Sequence, residues 1–409
     1  MLQNKAKFKT RNIPRLRFSE FVVAWEEKRL GELSRIYDGT HQTPEYVKEG
    51  IPFYSVEHLT ANDFSNTKYI AKEIFEKENK RVRLERNDIL MTRIGDIGTA
   101  RLIDWDVQAS YYVSLALIKH SEKINSHFLS QHINSVEFQK ELWKRTIHVA
   151  FPKKINLGEI SECKLLTPSL PEQQKIATFL EAIDDWIGNL RAQKKNLEAY
   201  KKGMMQKIFS QEIRFKDDKG KEFPKWENKR IEELCDVIGG GTPDTTKTAF
   251  WNGKINWFTP TEIKQKYSTE SLRKISELGF KQSSSKLLPI GTLLFTSRAT
   301  VGDISISKLE CTTNQGFQSM VVNKENDNEF LYYWVKHSKK EFLRRANGST
   351  FLEISGKEIR KMKGYFPCFQ GQQKISGYLV SLDDLIELKQ QQITSAEQWK
   401  KGLMQGLFV

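Results

Sequence analysis

Apolar side chains recur at alternating steps of four and three residues along two stretches of the chain. The resulting period of 3.5 residues is typical of a helix that buries one seam against a partner helix. Lysines interrupt both seams midway, at Lys194 and Lys201 and at Lys389 and Lys400. The first seam consists of Ile176, Leu180, Ile183, Ile187, Leu190, Leu197, Met204 and Ile208, and the second of Ile375, Leu379, Leu382, Ile386, Ile393, Ala396, Leu403 and Leu407.

Each seam predicts one long helix of about forty residues, which prolines at its start prevent from extending backwards. Pro168 and Pro171 precede the first seam, and Pro367 precedes the second. A seam about 50 Å long, at 1.5 Å per residue, cannot stay exposed to water. We therefore expect the two helices to pack against each other.

The chain contains an internal repeat, since residues 172–209 and 371–408 are identical at 16 of 38 positions without a gap. Upstream, the segment that begins at Trp25 parallels the one that begins at Trp226. The repeated unit is about 200 residues, far longer than a solenoid repeat. The sequence thus indicates a duplication.

The duplication also predicts the course of the chain. The first helix leaves one globular segment and leads to the next, and the second helix starts where that next segment ends, so the helices should be antiparallel. The globular segments, roughly 15–155 and 212–355, would lie at opposite ends, related by an approximate two-fold axis. The predicted domains are residues 1–155, 156–211, 212–355 and 356–409.

The globular segments predict an α/β fold. The stretches 89–92 and 293–296 look like buried strands, each followed by a turn that contains glycine. A helical pattern from Phe128 to Arg145, and another from Phe330 to Arg345, closes each domain. The two segments resemble each other much less than the long helices do, which suggests two different targets and one repeated partner.

The charge of the chain suggests a polyanionic binding partner. The formal net charge is +14, and such an excess of Lys and Arg favours nucleic acid. We find no apolar stretch long enough to span a membrane, and we expect a cytoplasmic protein. The cysteines, Cys163, Cys235, Cys311 and Cys368, have no zinc-like spacing, so we expect reduced and mostly buried thiols.

Several motifs resemble those of the specificity (S) subunits of Type I restriction-modification systems. The motifs are Leu170-Pro171-Glu172-Gln173-Gln174-Lys175-Ile176, Phe369-Gln370-Gly371-Gln372-Gln373-Lys374-Ile375, Gly240-Gly241-Thr242-Pro243 followed by Ile255-Asn256-Trp257-Phe258, and Arg93 with Gly98 and Arg298 with Gly302. The resemblance covers nearly the whole chain. The sequence departs from the pattern at Gln370-Gly371, where Pro-Glu is expected, and at residues 38–44, which replace a glycine-rich turn.

The resemblance implies two target-recognition domains that each read one half of a split site in double-stranded DNA. The helices would set the distance between the half-sites, within about one and a half turns of DNA. In the family, the helical regions dock two methyltransferase subunits, and the assembly recruits two ATP-dependent restriction subunits that translocate DNA. S-adenosylmethionine, ATP and Mg²⁺ would belong to these partners, and this chain would hold no cofactor and no metal.

The candidate DNA contacts are polar residues of turns and loops. Arg93 and Arg298 follow predicted strands, where an arginine can grip guanine or phosphate, although structural ion pairing is an alternative. Turn capping is the alternative for the smaller polar side chains. The remaining candidates are Thr40, His41, Lys153, Lys154, Thr242, Asp244, Asn314, Gln315, Ser349 and Thr350.

Aromatic residues favour a core function over base stacking. The pairs Tyr111-Tyr112, Trp257-Phe258 and Tyr332-Tyr333 are expected to fill cores. On the helices, Trp186, Tyr200 and Trp399 border the seam, as core residues or partner contacts.

An enzyme finds little support, because the chain lacks a Pro-Pro dipeptide, a Gly-x-Gly-x-x-Gly turn and a Gly-Lys-Ser/Thr phosphate loop. One nuclease-like cluster exists, Asp244 with Glu262 and Lys264, which imitates a Mg²⁺ site. A coiled-coil scaffold without DNA binding is a further alternative, but it leaves the two sizeable domains unexplained. We predict a DNA-binding subunit without a catalytic centre.

Overall fold

The computed structural model describes residues 12–348 and 352–409. These residues divide into two units, the first running up to Arg191 and including Gln391–Val409, the second formed by Ala192–Gln390. Both boundaries fall inside the long helices, so each unit contains one globular segment and a part of each helix. Each unit mixes strands with helices, as the sequence predicts.

The first unit begins with short strands and helices and continues into a long helix, whose residues after Arg191 belong to the second unit. Its elements are β1 (Glu26–Arg29), α1 (Leu30–Leu33), β2 (Ile36–Asp38), β3 (Tyr46–Val47), β4 (Ile51–Tyr54), α2 (Val56–Ala61), β5 (Lys68–Ile70), α3 (Lys72–Glu78), β6 (Ile89–Ile94), β7 (Asp96–Leu102), β8 (Ser110–Tyr111), β9 (Leu115–Ile118), α4 (Ser126–Ile133), α5 (Val136–Arg145), α6 (Leu157–Ser161), β10 (Lys164–Thr167) and α7 (Leu170–Phe209).

The second unit has a similar order of elements, with shorter strands at the centre of its main sheet. Its elements are β11 (Glu227–Arg230), β12 (Cys235–Gly239), β13 (Trp251–Phe258), β14 (Tyr267–Ser268), β15 (Arg273–Ile275), α8 (Glu277–Lys281), β16 (Leu293–Phe295), β17 (Ile304–Ser307), β18 (Cys311–Thr313), β19 (Gln318–Val322), α9 (Asn328–His337), α10 (Lys339–Arg345), α11 (Gly356–Lys361), β20 (Lys363–Phe366) and α12 (Phe369–Leu407).

Each unit has two main sheets and one small closing pair of strands. The sheets of the first unit have the orders β2-β9-β6-β7 and β3-β5-β4-β8, and those of the second have β12-β19-β16-β17-β14 and β15-β13-β18. The closing pairs are β1 with β10 and β11 with β20, both antiparallel. Because β10 and β20 directly precede the long helices, each pair ties the start of a domain to the start of its helix.

The predicted buried strands are present, since β6 and β16 lie at the centre of their sheets with mostly buried side chains. The helical patterns that close each domain differ from the prediction, because each is split into two helices. Ser135 separates α4 from α5 and caps α5, and Ser338 separates α9 from α10. A serine side chain competes for backbone hydrogen bonds and can therefore separate two helices. The spacing of apolar residues does not reveal such a break, because it does not depend on the serine.

The two long helices are continuous, with 40 residues in α7 and 39 in α12. In the first unit, Asp184 and Arg191 of α7 pair with Lys400 and Glu397 of α12. In the second unit, Lys201 of α7 likewise pairs with an aspartate of α12. Within the first unit, the earlier residue of α7, Asp184, pairs with the later residue of α12, Lys400, and Arg191 pairs with Glu397. The helix segments there are therefore antiparallel, as predicted.

The predicted seam fills the cores next to the helices. In the first unit, Ile176, Leu180, Ile183, Ile187 and Leu190 are buried in the same cluster as Ile393, Ala396 and Leu407. In the second unit, Ile208 shares a cluster with Ile375, Leu379 and Leu382. The seam positions Leu197, Met204, Ile386 and Leu403 are half-buried.

All four cysteines are free thiols, and three of them are buried, as predicted. Burial raises the pKa of Cys163 and Cys235 to about 12 and that of Cys311 to about 11, so these thiols stay protonated at neutral pH. Within the described part of the chain, no helix combines the length and the apolar character that crossing a membrane requires.

Candidate nucleic-acid interface

A tight turn after β2 presents the first candidate residues. Thr40 is held by its backbone, whose N–H donates to the carbonyl of Tyr111 at 3.0 Å and whose carbonyl accepts from Val113 N–H at 3.0 Å. A Cβ on Gly39 would lie 2.2 Å from the Tyr111 carbonyl oxygen, so only glycine permits this approach. The turn therefore holds Thr40 in a buried position and leaves the next side chain, His41, exposed.

Polar groups around Asp38 organise the same turn. His41 Nε2 lies 2.6 Å from Asp38 Oδ2, and Arg81 Nη2 lies 2.5 Å from Asp38 Oδ1. Burial of Asp38 would raise the pKa of its carboxyl, but the hydrogen bonds from Arg81 and His41 together lower it. Arg81 comes from the loop after α3, 43 residues after Asp38, so no local motif connects the two residues.

The second unit builds its turn from two glycines. A Cβ on Gly240 would lie 2.0 Å from the carbonyl oxygen of Asn314, so the turn packs directly against the loop after β18. Thr242 Oγ1 then donates to the side-chain amide oxygen of Gln315. The structure thus brings Thr242, Asn314 and Gln315 together, as a candidate site requires.

Two of these polar side chains also cap their own turns. Asp244 accepts hydrogen bonds from the backbone N–H of Thr246 at 3.0 Å and from its hydroxyl at 2.7 Å, and these bonds lower the pKa of Asp244. Asn314 Oδ1 accepts from Gly316 N–H at 2.8 Å. Capping of this kind is the alternative to DNA contact, and Asn314 is half-buried while Gln315 is exposed.

Arg93 and Arg298 occupy different environments. Arg93 is only 8% exposed and donates from Nε to the carbonyl of Val113 at 2.9 Å and from Nη1 to that of Ile155 at 3.2 Å. Burial lowers the pKa of the Arg93 guanidinium. The Arg298 side chain is 48% exposed and its Nε lies 2.8 Å from Glu353 Oε1. Arg93 holds the domain together, whereas Arg298 lies at the surface.

Backbone pairing shows why the two arginines differ. Ile155 N–H donates to the carbonyl of Arg93 at 3.0 Å, and Ile354 N–H donates to that of Ser297 at 3.0 Å. The position equivalent to Arg93 is therefore Ser297, and Arg298 corresponds to the next residue, Ile94. Neighbouring residues of a strand point to opposite faces, so a shift of one position turns the side chain from the interior to the surface.

The loop before the first long helix contains two further candidates. Lys153 and Lys154 are both exposed, and Lys153 Nζ lies 4.8 Å from the ring centroid of Trp143. The candidates of the second unit, Ser349 and Thr350, lie outside the described residues. The contact of each candidate with DNA stays a prediction.

The nuclease-like cluster is not assembled. Both oxygens of Glu262 accept local hydrogen bonds at 2.7 Å, Oε2 from the N–H and hydroxyl of Thr259 and Oε1 from the N–H of Leu272. The carboxylate therefore caps a turn, and Asp244 caps a separate one. Across residues 12–348 and 352–409, no three His, Cys, Asp or Glu side chains come together in a group that could hold a metal ion.

The aromatic pairs fill cores, as predicted. Tyr111, Trp257, Phe258, Tyr332 and Tyr333 are all buried, and Tyr112 is half-buried. On the helices, Trp186 and Trp399 contact each other edge to face, with centroids 6.3 Å apart, and both remain about half exposed. Tyr200 hydrogen-bonds to Tyr378 with 3.0 Å between their hydroxyl oxygens.

A glutamine of the repeated motif attaches each domain to its long helix. Gln173 is buried, donates to the carbonyl of Pro168 at 2.9 Å and accepts from the N–H of Asn125 at 2.9 Å. Gln372 does the same with the carbonyl of Pro367 at 3.0 Å and the N–H of Asp327 at 2.9 Å. The attachment survives in the second copy although Gly371 replaces the expected glutamate. This geometry explains why the motif occurs twice.

Two α/β domains, each attached by equivalent contacts to the start of its own long helix, define a class of duplicated proteins. The family model described as Type I restriction modification DNA specificity domain matches the chain twice, over residues 23–199 and 224–398. The chain therefore belongs to this family, whose members are the non-catalytic DNA-recognition subunits of Type I systems.

Relatives extend this result over the whole length of the chain. The putative Type I restriction enzyme MjaX specificity subunit of Methanocaldococcus jannaschii is 25% identical over 97% of this chain and 96% of its own length. The MjaIX specificity subunit of the same organism is 35% identical, over 49% of this chain, and the match spans only 48% of that relative.

Solved structures share the fold. The S subunit of a Type I restriction-modification system from M. genitalium is similar with a TM-score of 0.58 at 15% identity, covering 97% of this chain and 99% of that one. A chain from a structural study of complex assembly and conformational transition of the Type I R-M system has a TM-score of 0.60 at 16% identity, with 93% and 96% covered.

Proposed function

We propose that this protein directs adenine methylation and restriction to a DNA site made of two different halves. Each α/β domain reads one half, and the long helices set the spacing and dock the methyltransferase subunits. The methyltransferase subunits bring S-adenosylmethionine, and two translocating restriction subunits bring ATP and Mg²⁺. The complex acts on cytoplasmic double-stranded DNA.

One observation carries the proposal: the attachment of the domains is duplicated while their polar turns are not. Gln173 and Gln372 make equivalent bonds to the start of the helices. A glycine packs closely in both turns, but the turn around His41 is also held by Asp38 and Arg81, while that around Thr242 is held by Gln315. Repeated attachment favours a repeated partner, and diverged turns favour two different DNA sequences.

The exposed polar groups of these turns suit DNA contact in different ways. Lysines bind phosphate and position the protein, whereas amide and arginine side chains reach base edges. We assign the first task to Lys153 and Lys154, and the second to His41, Asn314, Gln315 and Arg298. Arg93 and Thr40 support the turns from inside, since both are buried.

Native DNA shows whether the proposal is correct. Single-molecule sequencing of cells with and without the gene detects methylated adenine directly. We expect one asymmetric two-part motif to lose its methylation when the gene is deleted and to regain it when the gene is restored. Unaltered methylation, in cells that express a partner methyltransferase, would contradict the proposal.

A further inference from the structure

The loop between α5 and Ile155 displays apolar side chains that the fold does not need. Val149 and Phe151 expose essentially their whole surface, 97% and 103% of the reference value. Burying a side chain of this size contributes about 1.5 to 3 kcal/mol. Val149 and Phe151 do not contribute this stabilisation to the domain, because both are exposed. Exposed apolar side chains of this kind indicate a surface that another molecule covers.

The base of this loop, residues 148–153, is firmly held. Ile147 N–H donates to the carbonyl of Lys154 at 2.8 Å, and Gly95 N–H donates to that of Lys153 at 2.8 Å. The two arms of the loop are therefore joined to each other, and the second arm is also joined to the end of β6 and the turn that follows it. A loop fixed in this way presents its tip in one position and loses little entropy when it binds.

Aromatic contacts brace the loop from the side of α5. The rings of Trp143 and His148 lie 4.2 Å apart, and His148 Nε2 lies 2.9 Å from the carbonyl oxygen of Trp143. Lys153 Nζ lies 4.8 Å from the centroid of the Trp143 ring on the other arm of the loop. Both arms thus pack on one tryptophan, and the tip that contains Phe151 projects beyond it.

The charges beside the tip favour a polyanion. Lys144 and Arg145 pair with Glu141, but Lys153 and Lys154 form no ion pair with any residue in the described ranges 12–348 and 352–409. An apolar tip followed by two unpaired cations matches duplex DNA, in which stacked bases lie between rows of phosphates. Architectural proteins insert Phe or Pro wedges between base pairs in this way.

The second unit has a glutamate at the position that matches Lys154. Lys154 bridges to Ile94, and its counterpart Glu353 bridges to Arg298 and binds its guanidinium at 2.8 Å. The lysine pair is thus a feature of the first unit.

We propose that Phe151 is an apolar wedge that enters one base step of the DNA half-site read by the first unit, with Lys153 and Lys154 on neighbouring phosphates. This inference rests on the proposed function and names a mode of binding for the same interface. Opening a base step costs a few kcal/mol and favours sequences that unstack easily. The wedge thereby adds sequence specificity through the deformability of the base step, and it needs no hydrogen bond to a base edge.

The test uses the full-length protein and a duplex that carries its methylated motif, with 2-aminopurine placed at successive positions. The fluorescence of this base rises when it loses a stacking neighbour. We expect a rise at one step of the half-site that the first unit reads. Phe151→Ala should abolish the rise and weaken binding about tenfold, which corresponds to about 1.4 kcal/mol. Phe151→Leu should retain most of both.

Two controls separate the wedge from other effects. Val22→Ala removes another exposed apolar side chain of the first unit and should change neither fluorescence nor affinity. Lys153→Ala with Lys154→Ala should reduce the log-log salt slope by about 0.9 per lost phosphate contact. Thermal unfolding should match the wild type in each variant, since these side chains are exposed.

Each contrary result has a distinct meaning. If Phe151→Ala binds the two-part motif as tightly as wild type and keeps the fluorescence rise, the wedge is wrong and the proposed function stands. If Phe151→Ala impairs assembly with the methyltransferase subunit but not DNA binding, a protein covers the tip, and the wedge is again wrong. If the wild-type protein shows no preference for the motif, both proposals fall.

Discussion

The two units attach to the long helices in the same way, yet one attachment is more buried than the other. In the second unit, Asp383 accepts from Lys201 and from the hydroxyl of Tyr333, and Lys266 Nζ lies 3.5 Å away. In the first unit, the equivalent Asp184 binds Lys400 at 2.6 Å and the amide of Gln131 at 2.8 Å, with its side chain 44% exposed. One duplicated ion pair thus lies in two dielectric environments.

The two copies of the scaffold have kept the ion pair between the long helices, while the domain residues around it have changed. The helix residues Asp and Lys are the same in both copies, while the partner on the domain side changed from Gln131 to Tyr333. The donor to the carboxylate is thus an amide in the first unit and a phenolic hydroxyl in the second. The second unit also adds a cation, Lys266, from the loop before β14. The scaffold contact is retained, and its strength depends on the domain that covers it.

Removing the aspartate should show the largest difference between the units. Asp383→Asn leaves Lys201 without its anion and weakens the acceptor of the Tyr333 hydroxyl, while Lys266 keeps its ion pair with Glu329, and we expect a loss of about 2 to 3 kcal/mol in unfolding free energy. Asp184→Asn, the matched control, should cost about 1 kcal/mol or less because its pair is more exposed. Denaturant unfolding monitored in each unit measures both values, and equal losses would contradict the comparison.

The same pair predicts a dependence on pH. Burial would raise the pKa of Asp383, but the hydrogen bonds from Lys201 and Tyr333 outweigh it and lower the pKa below its ordinary value of 3.8. A carboxyl with a lowered pKa stabilises the fold above that ordinary value and loses this contribution as the pH falls through its folded pKa. The stability gap between wild type and Asp383→Asn should be full at neutral pH and shrink at acid pH. A gap that persists unchanged at acid pH would indicate a packing effect.

The two arginines provide the next comparison. Arg93→Ala leaves the carbonyls of Val113 and Ile155 without their donor, and we expect a loss of about 2 kcal/mol in stability. Arg298→Ala should change stability by less than about 0.5 kcal/mol, because its ion pair with Glu353 is exposed, and should weaken DNA binding instead. Thermal unfolding and a binding titration on each variant separate the two roles, and a stable Arg93→Ala protein would contradict the assignment.

The smallest expected effect concerns the turn after these arginines. Gly95 has a φ of +84°, and the equivalent residue of the second unit is Ala299 with a φ of +61°. A residue with a Cβ costs about 1 kcal/mol more than glycine in this conformation. We therefore expect Ala299→Gly to stabilise the protein by roughly 0.5 to 1 kcal/mol and Gly95→Ala to destabilise it by a similar amount. Calorimetric melting of the two variants should show shifts of opposite sign.

Much of the scaffold could be predicted because it depends on local and repeated patterns. The seam from Ile176 to Ile208 has a period that only a long helix satisfies, and the duplication then indicated an antiparallel pair. The breaks at Ser135 and Ser338 escaped prediction, since a serine inside an apolar pattern is compatible with either a continued helix or a cap.

The candidate site was harder to predict, because it depends on which loops come together. Arg81 lies 43 residues after Asp38, and no spacing rule connects them. Arg93 and Arg298 both follow a strand in the sequence, but alignment through Gly98 and Gly302 places Arg298 opposite Ile94 and not opposite Arg93. Glycines that fix a turn are thus better guides to equivalence than the charged residues near them.

The most direct test of the account is a domain duplication. Residues 15–155 are replaced by a second copy of residues 212–355, and the methylated motif is determined by single-molecule sequencing of native DNA. Because each domain reads one half-site, we expect a motif in which the half read by the first domain disappears and the half read by the second domain occurs twice. A motif that keeps its two different halves, or loses both, would contradict the claim that each domain reads one half on a shared scaffold.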